Sequence, residues 1–409
     1  MSEKRLKKDS TNKDSVWTSE ARWAVLGGFF LRLLMLILII YVVDWDIYYL
    51  EDDKKFEELA GKYLFNANGL VDTELLKTLT VGWVSPFWAY VLCISSKLFG
   101  SVFAPRYINI ILSTLCIAAI YKLCYEITEN QKTALTAARL FAFLPFPILV
   151  CCFPIKDIFI MVSVTYAFYL FVRIQNDRKV SVGSILLCTV LLSCVYFTRG
   201  AVTELLLIFL TIYYLQKLYR QKRYLAALLL LMGALAIFFL FRNSIMAVFE
   251  EKVDTYGNYY ADEANGLNAI RVTGITDIYK LPLAYAFSML QPLKFELFNV
   301  GNDVRPWRTV MSYTNITMFP VGVGAWLYMF VKKHNLFFWL STFAMFSAVI
   351  MLSLGVSRHY LFLFPIHLIN YSLYMEETHE NHKNRRTLVF LGTFAFFVLI
   401  FCYSLVKLL

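Results

Sequence analysis

Charge is what this sequence has least of. Only 17% of its 409 residues are Asp, Glu, Lys or Arg, against roughly a quarter in an ordinary soluble domain. Hydrophobic residues make up 59%. Water could not solvate so much apolar surface, so a cytosolic enzyme, a secreted disulfide scaffold and a disordered chain are all excluded. Several chemical signatures are missing as well. The chain holds no GxxxxGKS/T, no HExxH and no GxSxG, so nucleotide hydrolysis, zinc proteolysis and serine hydrolysis have no support. Its eight cysteines (Cys93, Cys116, Cys124, Cys151, Cys152, Cys188, Cys194 and Cys402) form no CxxC pair. Neither a zinc site nor a disulfide framework follows, and they read as small packing residues in apolar runs. The net charge of +10 is dispersed, whereas a nucleic-acid binder needs a clustered basic face. With no internal repeat and no low-complexity linker, residues 1–409 read as one membrane domain.

What is present is a series of apolar runs. The first, Trp23 to Val43, is long enough to span a bilayer at ~1.5 Å per residue. It meets Asp44 with no small-residue cleavage site, so it reads as an anchor and not a removed signal. Further runs lie near 82–99, 105–125, 134–153, 156–173, 182–198, 201–217, 224–241, 309–331, 337–355, 359–374 and 387–406, with an interrupted one at 281–300. Charge sets their parity. The basic tail with Lys4, Arg5, Lys7 and Lys8 belongs on the cytoplasmic side, which leaves the acidic segment Asp44–Thr80 outside. If 82–99 crossed the membrane, four short basic loops would also fall outside. If it lies in the outer interface, all four fall inside. The expected fold is therefore all-α and polytopic, with about 11 transmembrane helices. Interfacial helices sit in two long extracytoplasmic loops, 44–104 and 242–308, and the N-terminus is cytoplasmic in a plasma (inner) membrane.

This topology gathers an unexplained minority of charges at one surface. Asp52 and Asp53 follow the first span. Lys156 and Asp157 sit in the short turn FPIKDIF, Arg199 in the turn FTRG, and Arg358 opens SRHYLFLFP. Charges beside hydrocarbon are costly and mark function by default. Arginine forks bind phosphate, and a carboxylate at an outer cavity can act as general base on an acceptor hydroxyl. The set suits group transfer from a lipid-linked phosphate donor to a hydroxyl outside the membrane. Glu204, five residues after Arg199, is expected to orient it by an ion pair. Loop 242–308 pairs arginines with aromatics, a mixture suited to sugar and phosphate. His379 and His382 read as solvated loop residues, and His367 as a packing residue.

The segment Asp52-Asp53-Lys54-Lys55-Phe56-Glu57-Glu58-Leu59-Ala60 resembles the first-loop motif of the C-type membrane glycosyltransferases. These are the polyprenyl-phosphate-sugar enzymes of the protein O-mannosyltransferase and aminoarabinose transferase superfamily. Asp52, Phe56 and Ala60 fit its Asp, aromatic and Ala. The sequence SSKLFG followed by Arg106 resembles the end of that family's juxtamembrane helix and the Arg opening its second span. Lys156-Asp157 matches its second outer acidic position. Arg358 with Pro365 resembles its late Arg-Tyr…Pro signature, although His359 replaces the Tyr. The resemblance implies Asp52 as catalytic base. It implies that Asp157 orients donor or acceptor, or binds a divalent metal as in metal-using members, and no other cofactor is implied. Arg358, Arg199 and Lys156 would neutralise the donor phosphate, with Asp53 beside them in substrate binding. The implied partners are a lipid-linked sugar donor, a glycan, lipid or protein acceptor, and membrane lipids. With the sequence ending at Leu409, acceptor recognition falls to loop 242–308. Two other functions fit parts of the pattern. A polysaccharide polymerase or ligase would use diphosphate-linked glycan and the loop arginines. A transporter or lipid flippase would need charges through the middle of the bilayer, where Arg32 stands almost alone.

Overall fold

The computed structural model describes residues 17–42, 54, 56–58, 61, 86–236, 239, 361–377, 386, 390 and 394. These residues are helical throughout, joined by short turns. Helix α1 is Ser19–Ile37, continued by a π-helical turn over Leu38–Val42. Then come α2 (Pro86–Phe99), α3 (Ala104–Thr128), α4 (Gln131–Phe143), α5 (Pro145–Val150) and α6 (Asp157–Gln175). A helical run, Val182–Arg220, breaks at Arg199 into α7 (Val182–Gly200) and α8 (Val202–Arg220). Helix α9 is Tyr224–Ala236, and α10 is Phe364–Glu377. Among the described residues five helices are long and apolar enough to cross a membrane: α1 with its π-helical turn, α3, α6, α7 and α8. The expected spans at 309–331 and 337–355, all of 387–406 but Phe390 and Phe394, and the long loop 242–308 lie outside the described residues.

The sequence sets these boundaries through caps and breakers. Thr18 and Ser181 accept hydrogen bonds from Ala21 N (3.1 Å) and Ser184 N (3.1 Å), satisfying amides that the first helical turn leaves open. Asn130 caps α4 in the same way through Lys132 N and Thr133 N. At the end of α2, Gly100 takes φ 63° and Ser101 N donates back to Ser96 O at 3.2 Å, a left-handed terminus that a glycine enters without Cβ strain. Helix α3 is the hub of the bundle and packs on α1, α2, α4 and α6. Cys93, Cys116, Cys124, Cys151 and Cys152 are buried thiols, as expected of packing residues.

One expected run takes a different form. The run 134–153 is not one helix, because α4 stops at Phe143 and α5 begins at Pro145. Pro145 has no N–H, so the carbonyl four residues earlier, Phe141 O, loses its helical donor. Arg32 supplies the replacement. Its guanidinium donates to Phe141 O (2.8 Å), Ala142 O (2.9 Å), Gly28 O (3.0 Å) and Ser113 Oγ (2.9 Å). Arg32 is fully buried, and among the described residues no carboxylate lies within ion-pair distance of it. It caps the negative end of a broken helix. Helix α2 is short: its 14 residues reach only ~21 Å against a hydrocarbon core of ~30 Å.

Helix α2 also starts and finishes at one end of the bundle. Near its start, Trp88 Nε1 donates to Pro154 O at 3.1 Å. Its end leads directly into α3, whose Arg106 donates to Cys152 O. Both ends of this short helix are thus tied to the same end of the bundle. At Arg199 the chain reverses: Thr203 Oγ1 lies 3.5 Å from Leu192 O, 11 residues away, where a straight helix would hold them ~16 Å apart. The opposite end of the bundle carries the short basic turns. There Arg173 and Arg178 pair with Glu126 and Glu129 (3.5 and 3.2 Å), Asn176 donates to Glu126 O, and Lys217 reaches Gln175.

Candidate functional site

The turn between α5 and α6 is buried, and its backbone needs partners that a helix would have supplied. Three side chains provide them. Arg106 Nη1 donates to Cys152 O (3.1 Å), Asn109 Nδ2 to Phe153 O (2.6 Å) and Ile155 O (2.9 Å), and Trp88 Nε1 to Pro154 O (3.1 Å). Four consecutive carbonyls are thereby satisfied. An orphaned one would cost about 1–3 kcal/mol. Arg106, Asn109 and Trp88 are all fully buried. The first two lie one turn apart at the start of α3, and the third comes from α2.

The turn delivers Asp157 as the first residue of α6, where the helix dipole favours a carboxylate. Asp157 is 3% exposed, and its Oδ1 lies 2.7 Å from Nη1 of Arg199, itself 12% exposed. Arg199 can reach it because its backbone is non-helical (φ −156°, ψ 84°) at the α7–α8 reversal. Lys156 occupies the N-cap position of α6 and is half-buried. The planar guanidinium of Arg199 is a fork of several N–H donors, a shape that suits a carboxylate or a phosphate. Among the described residues no three His, Cys, Asp or Glu side chains gather into a metal-binding group. The described carboxylate proposed for that role faces a guanidinium.

A second ion pair joins the first loop to this end of the bundle. Arg106 Nε pairs with Glu57 Oε1, and both are buried. The Arg106 guanidinium also lies over the rings of Phe103 and Phe153, 5.8 and 5.9 Å from their centroids. Lys54, Phe56, Glu57, Glu58 and Gly61 are helical, with Phe56 and Glu57 facing the core and Lys54, Glu58 and Gly61 exposed. The aromatic of the first-loop motif, Phe56, is thus a buried anchor at 5% exposure.

The structure brings together Asp157, Arg199 and, by its place in the chain, Lys156. Asp52, Asp53 and Arg358 lie outside the described residues, which resume at Lys54 and at Leu361. The partner expected for Arg199 needs correction. Arg199 pairs with Asp157, while Glu204 is exposed. A carboxylate one helical turn away competes poorly once a buried one is brought to 2.7 Å by another helix. Glu57, Arg106, Asn109 and Trp88 were missed as site residues. The signal that marks them is a polar or amphipathic side chain at a helix start inside apolar text, paired with a turn holding Pro154.

No curated relative matches the chain. Among solved structures it is similar to the oligosaccharyltransferase of Archaeoglobus fulgidus in its apo form, at 12% identity and a TM-score of 0.46, covering 94% of this chain and 55% of that one. The archaeal oligosaccharyltransferase AglB from Archaeoglobus fulgidus, in complex with an inhibitory peptide and a dolichol-phosphate, gives 11% identity and a TM-score of 0.45, over 95% of this chain and 56% of that one. The chain spans about half the length of those structures. The sequence profile of the dolichyl-phosphate-mannose-protein mannosyltransferases matches residues 29–271, a stretch running from α1 past α9, and the chain belongs to that family.

Proposed function

We propose that this protein is an integral-membrane glycosyltransferase that moves a sugar from a polyprenyl-phosphate donor to an acceptor hydroxyl outside the plasma membrane. The observation that carries the reading is the Asp157–Arg199 pair, at the end of the bundle away from the basic turns and inside the region shared with the family. The family's name favours mannose as the sugar and a protein hydroxyl as the acceptor. By the positive-inside rule the basic turns face the cytoplasm, so the pair faces outward and the N-terminus inward.

In this reaction Asp52 accepts the proton of the acceptor hydroxyl. The freed oxygen attacks the sugar's anomeric carbon, the bond from that carbon to phosphate oxygen breaks, and polyprenyl phosphate leaves with the electron pair. Displacement from the opposite face inverts the anomeric carbon. The leaving phosphate gains charge, which Arg199, Lys156 and Arg358 stabilise, while Asp53 takes part in substrate binding. Asp157 holds the Arg199 fork in register. Arg32, the charge within the first span, is occupied with backbone carbonyls, which supports a transferase over a transporter.

The deciding experiment is transfer by purified protein from a polyprenyl-phosphate mannose, comparing wild type with Asp52→Asn. Loss of a general base lowers the rate by about 10²–10⁴-fold with donor binding retained. Full activity in Asp52→Asn would sink the assignment.

A further inference from the structure

We propose that Arg106 is a positioning residue that ties the first loop at Glu57 to the turn that ends at Asp157. The inference rests on the transfer reaction above for its consequence in rate, but its structural content is independent of it. One guanidinium touches two segments remote in sequence. Its Nε is ion-paired with Glu57 of the first loop, and its Nη1 donates to Cys152 O, the first of four carbonyls in the turn that ends at Asp157. Glu57 lies five residues beyond Asp52, and Cys152 five before Asp157. The proposed base and the Arg199-orienting acid therefore flank one shared cation at equal distances along the chain.

Burial makes the link stiff. Arg106 is fully buried and Glu57 nearly so, so water offers neither a substitute partner. The rings of Phe103 and Phe153 cover the guanidinium. Asn109 and Trp88 hold the rest of the turn, and Arg106 touches both segments. A planar fork can serve two acceptors set apart in space, whereas a lysine ammonium is a single point. Arg106 thus acts by tying these two segments together and not on the substrate.

The test uses the full chain in lipid nanodiscs, with polyprenyl-phosphate mannose as the probe. Amide hydrogen exchange reads the coupling without any need for activity. Arg106→Lys should speed exchange about tenfold or more in both 54–61 and 152–158 and leave α7 and α8 unchanged. Glu57→Gln should loosen only 54–61, and Asn109→Leu only 152–158. Faster exchange in one segment alone with Arg106→Lys overturns the proposal. In transfer, Arg106→Lys should lower kcat about a hundredfold, the scale of a 1 Å misplacement, with donor affinity kept within about twofold. It should cost less when added to Asp52→Asn than it does in wild type. Donor affinity falling as steeply as the rate would make Arg106 a phosphate ligand and overturn the proposal. If Arg106→Lys loosens the whole chain, Glu57→Gln decides. It preserves side-chain volume, and a slowed rate with intact donor binding supports the link, whereas an unchanged rate overturns it. Wild-type protein that transfers no sugar refutes the functional reading and leaves the exchange result to stand or fall alone.

Discussion

The carboxylate of Asp157 and the guanidinium of Arg199 lie 2.7 Å apart, each donated by a separate break in helical structure. One comes from the turn between α5 and α6, the other from the reversal between α7 and α8. Breaking a buried pair by removing one partner leaves a bare charge and costs about 3–5 kcal/mol. Asp157→Asn and Arg199→Met should each lower the unfolding temperature in detergent. The double variant should regain most of that loss, because no charge is then left uncompensated. All three should lose transfer. Equal and additive destabilisation in thermal melts would show that the two residues act independently.

The turn before Asp157 makes a second, local prediction. Asn109 serves two carbonyls and Trp88 one. Asn109→Leu keeps the volume and removes both donors, so the loss should be about 2–4 kcal/mol, more than the about 1–3 kcal/mol for one unsatisfied group. Trp88→Phe removes one donor and some packing. Circular-dichroism melts of the two variants should rank Asn109→Leu at least as damaging, although tryptophan is by far the larger side chain.

Charge parity made much of the bundle legible. The turns FPIKDIF and FTRG declared themselves because Lys, Asp and Arg are conspicuous in apolar text, and the structure puts a helix start and a chain reversal there. Charge parity predicts an interfacial run at 82–99, and the helix found there, α2, is 14 residues long. The pairing of Arg199 did not follow. Glu204 is close in sequence and Asp157 is not, and proximity through space depends on how α6 packs against α7 and α8. Glu57 with Arg106 was hidden for the same reason, since nothing in a loop's letters says that it folds onto the start of α3. Arg32 was partly legible. Pro145 announces an orphaned carbonyl at Phe141, but the helix that brings an arginine to it is set by the crossing of α1 and α4.

Sidedness gives a third prediction. Lys97 near the end of α2 and Arg178 after α6 are both exposed and sit at opposite ends of the bundle. Cysteine placed at Lys97 should react with a membrane-impermeant maleimide in intact cells. Cysteine at Arg178 should react only after permeabilisation. Background is low because most native thiols are buried. Labelling of both positions in intact cells would mean that α2 or α6 is placed wrongly with respect to the membrane.

Gly28 and Arg32 share one face of α1, and together they decide how closely α1 approaches α3 and α4. A Cβ on Gly28 would lie 2.5 Å from Ile117 Cδ1, 3.1 Å from Ala142 Cβ and 3.2 Å from Arg32 Nη1. The isoleucine tip can rotate away, but the Ala142 methyl is fixed to α4 and the guanidinium is fixed by its carbonyls. In lipid, helix association depends on such close approach, so an added methyl is paid for by separating the helices. Gly28→Ala should therefore destabilise by about 1–3 kcal/mol, and it should loosen Arg32 from Ala142 O. At Gly27 the nearest contact is the Phe143 ring at 3.4 Å, ordinary packing distance, and Gly27→Ala should be close to neutral. Thermal melts of the two variants make a matched comparison. Removing the cation itself, by Arg32→Met, leaves the carbonyls of Phe141 and Ala142 without donors beside a proline that offers none. It should cost more than Gly28→Ala, and a melt showing the reverse order would mean that another group, not Arg32, caps the end of α4.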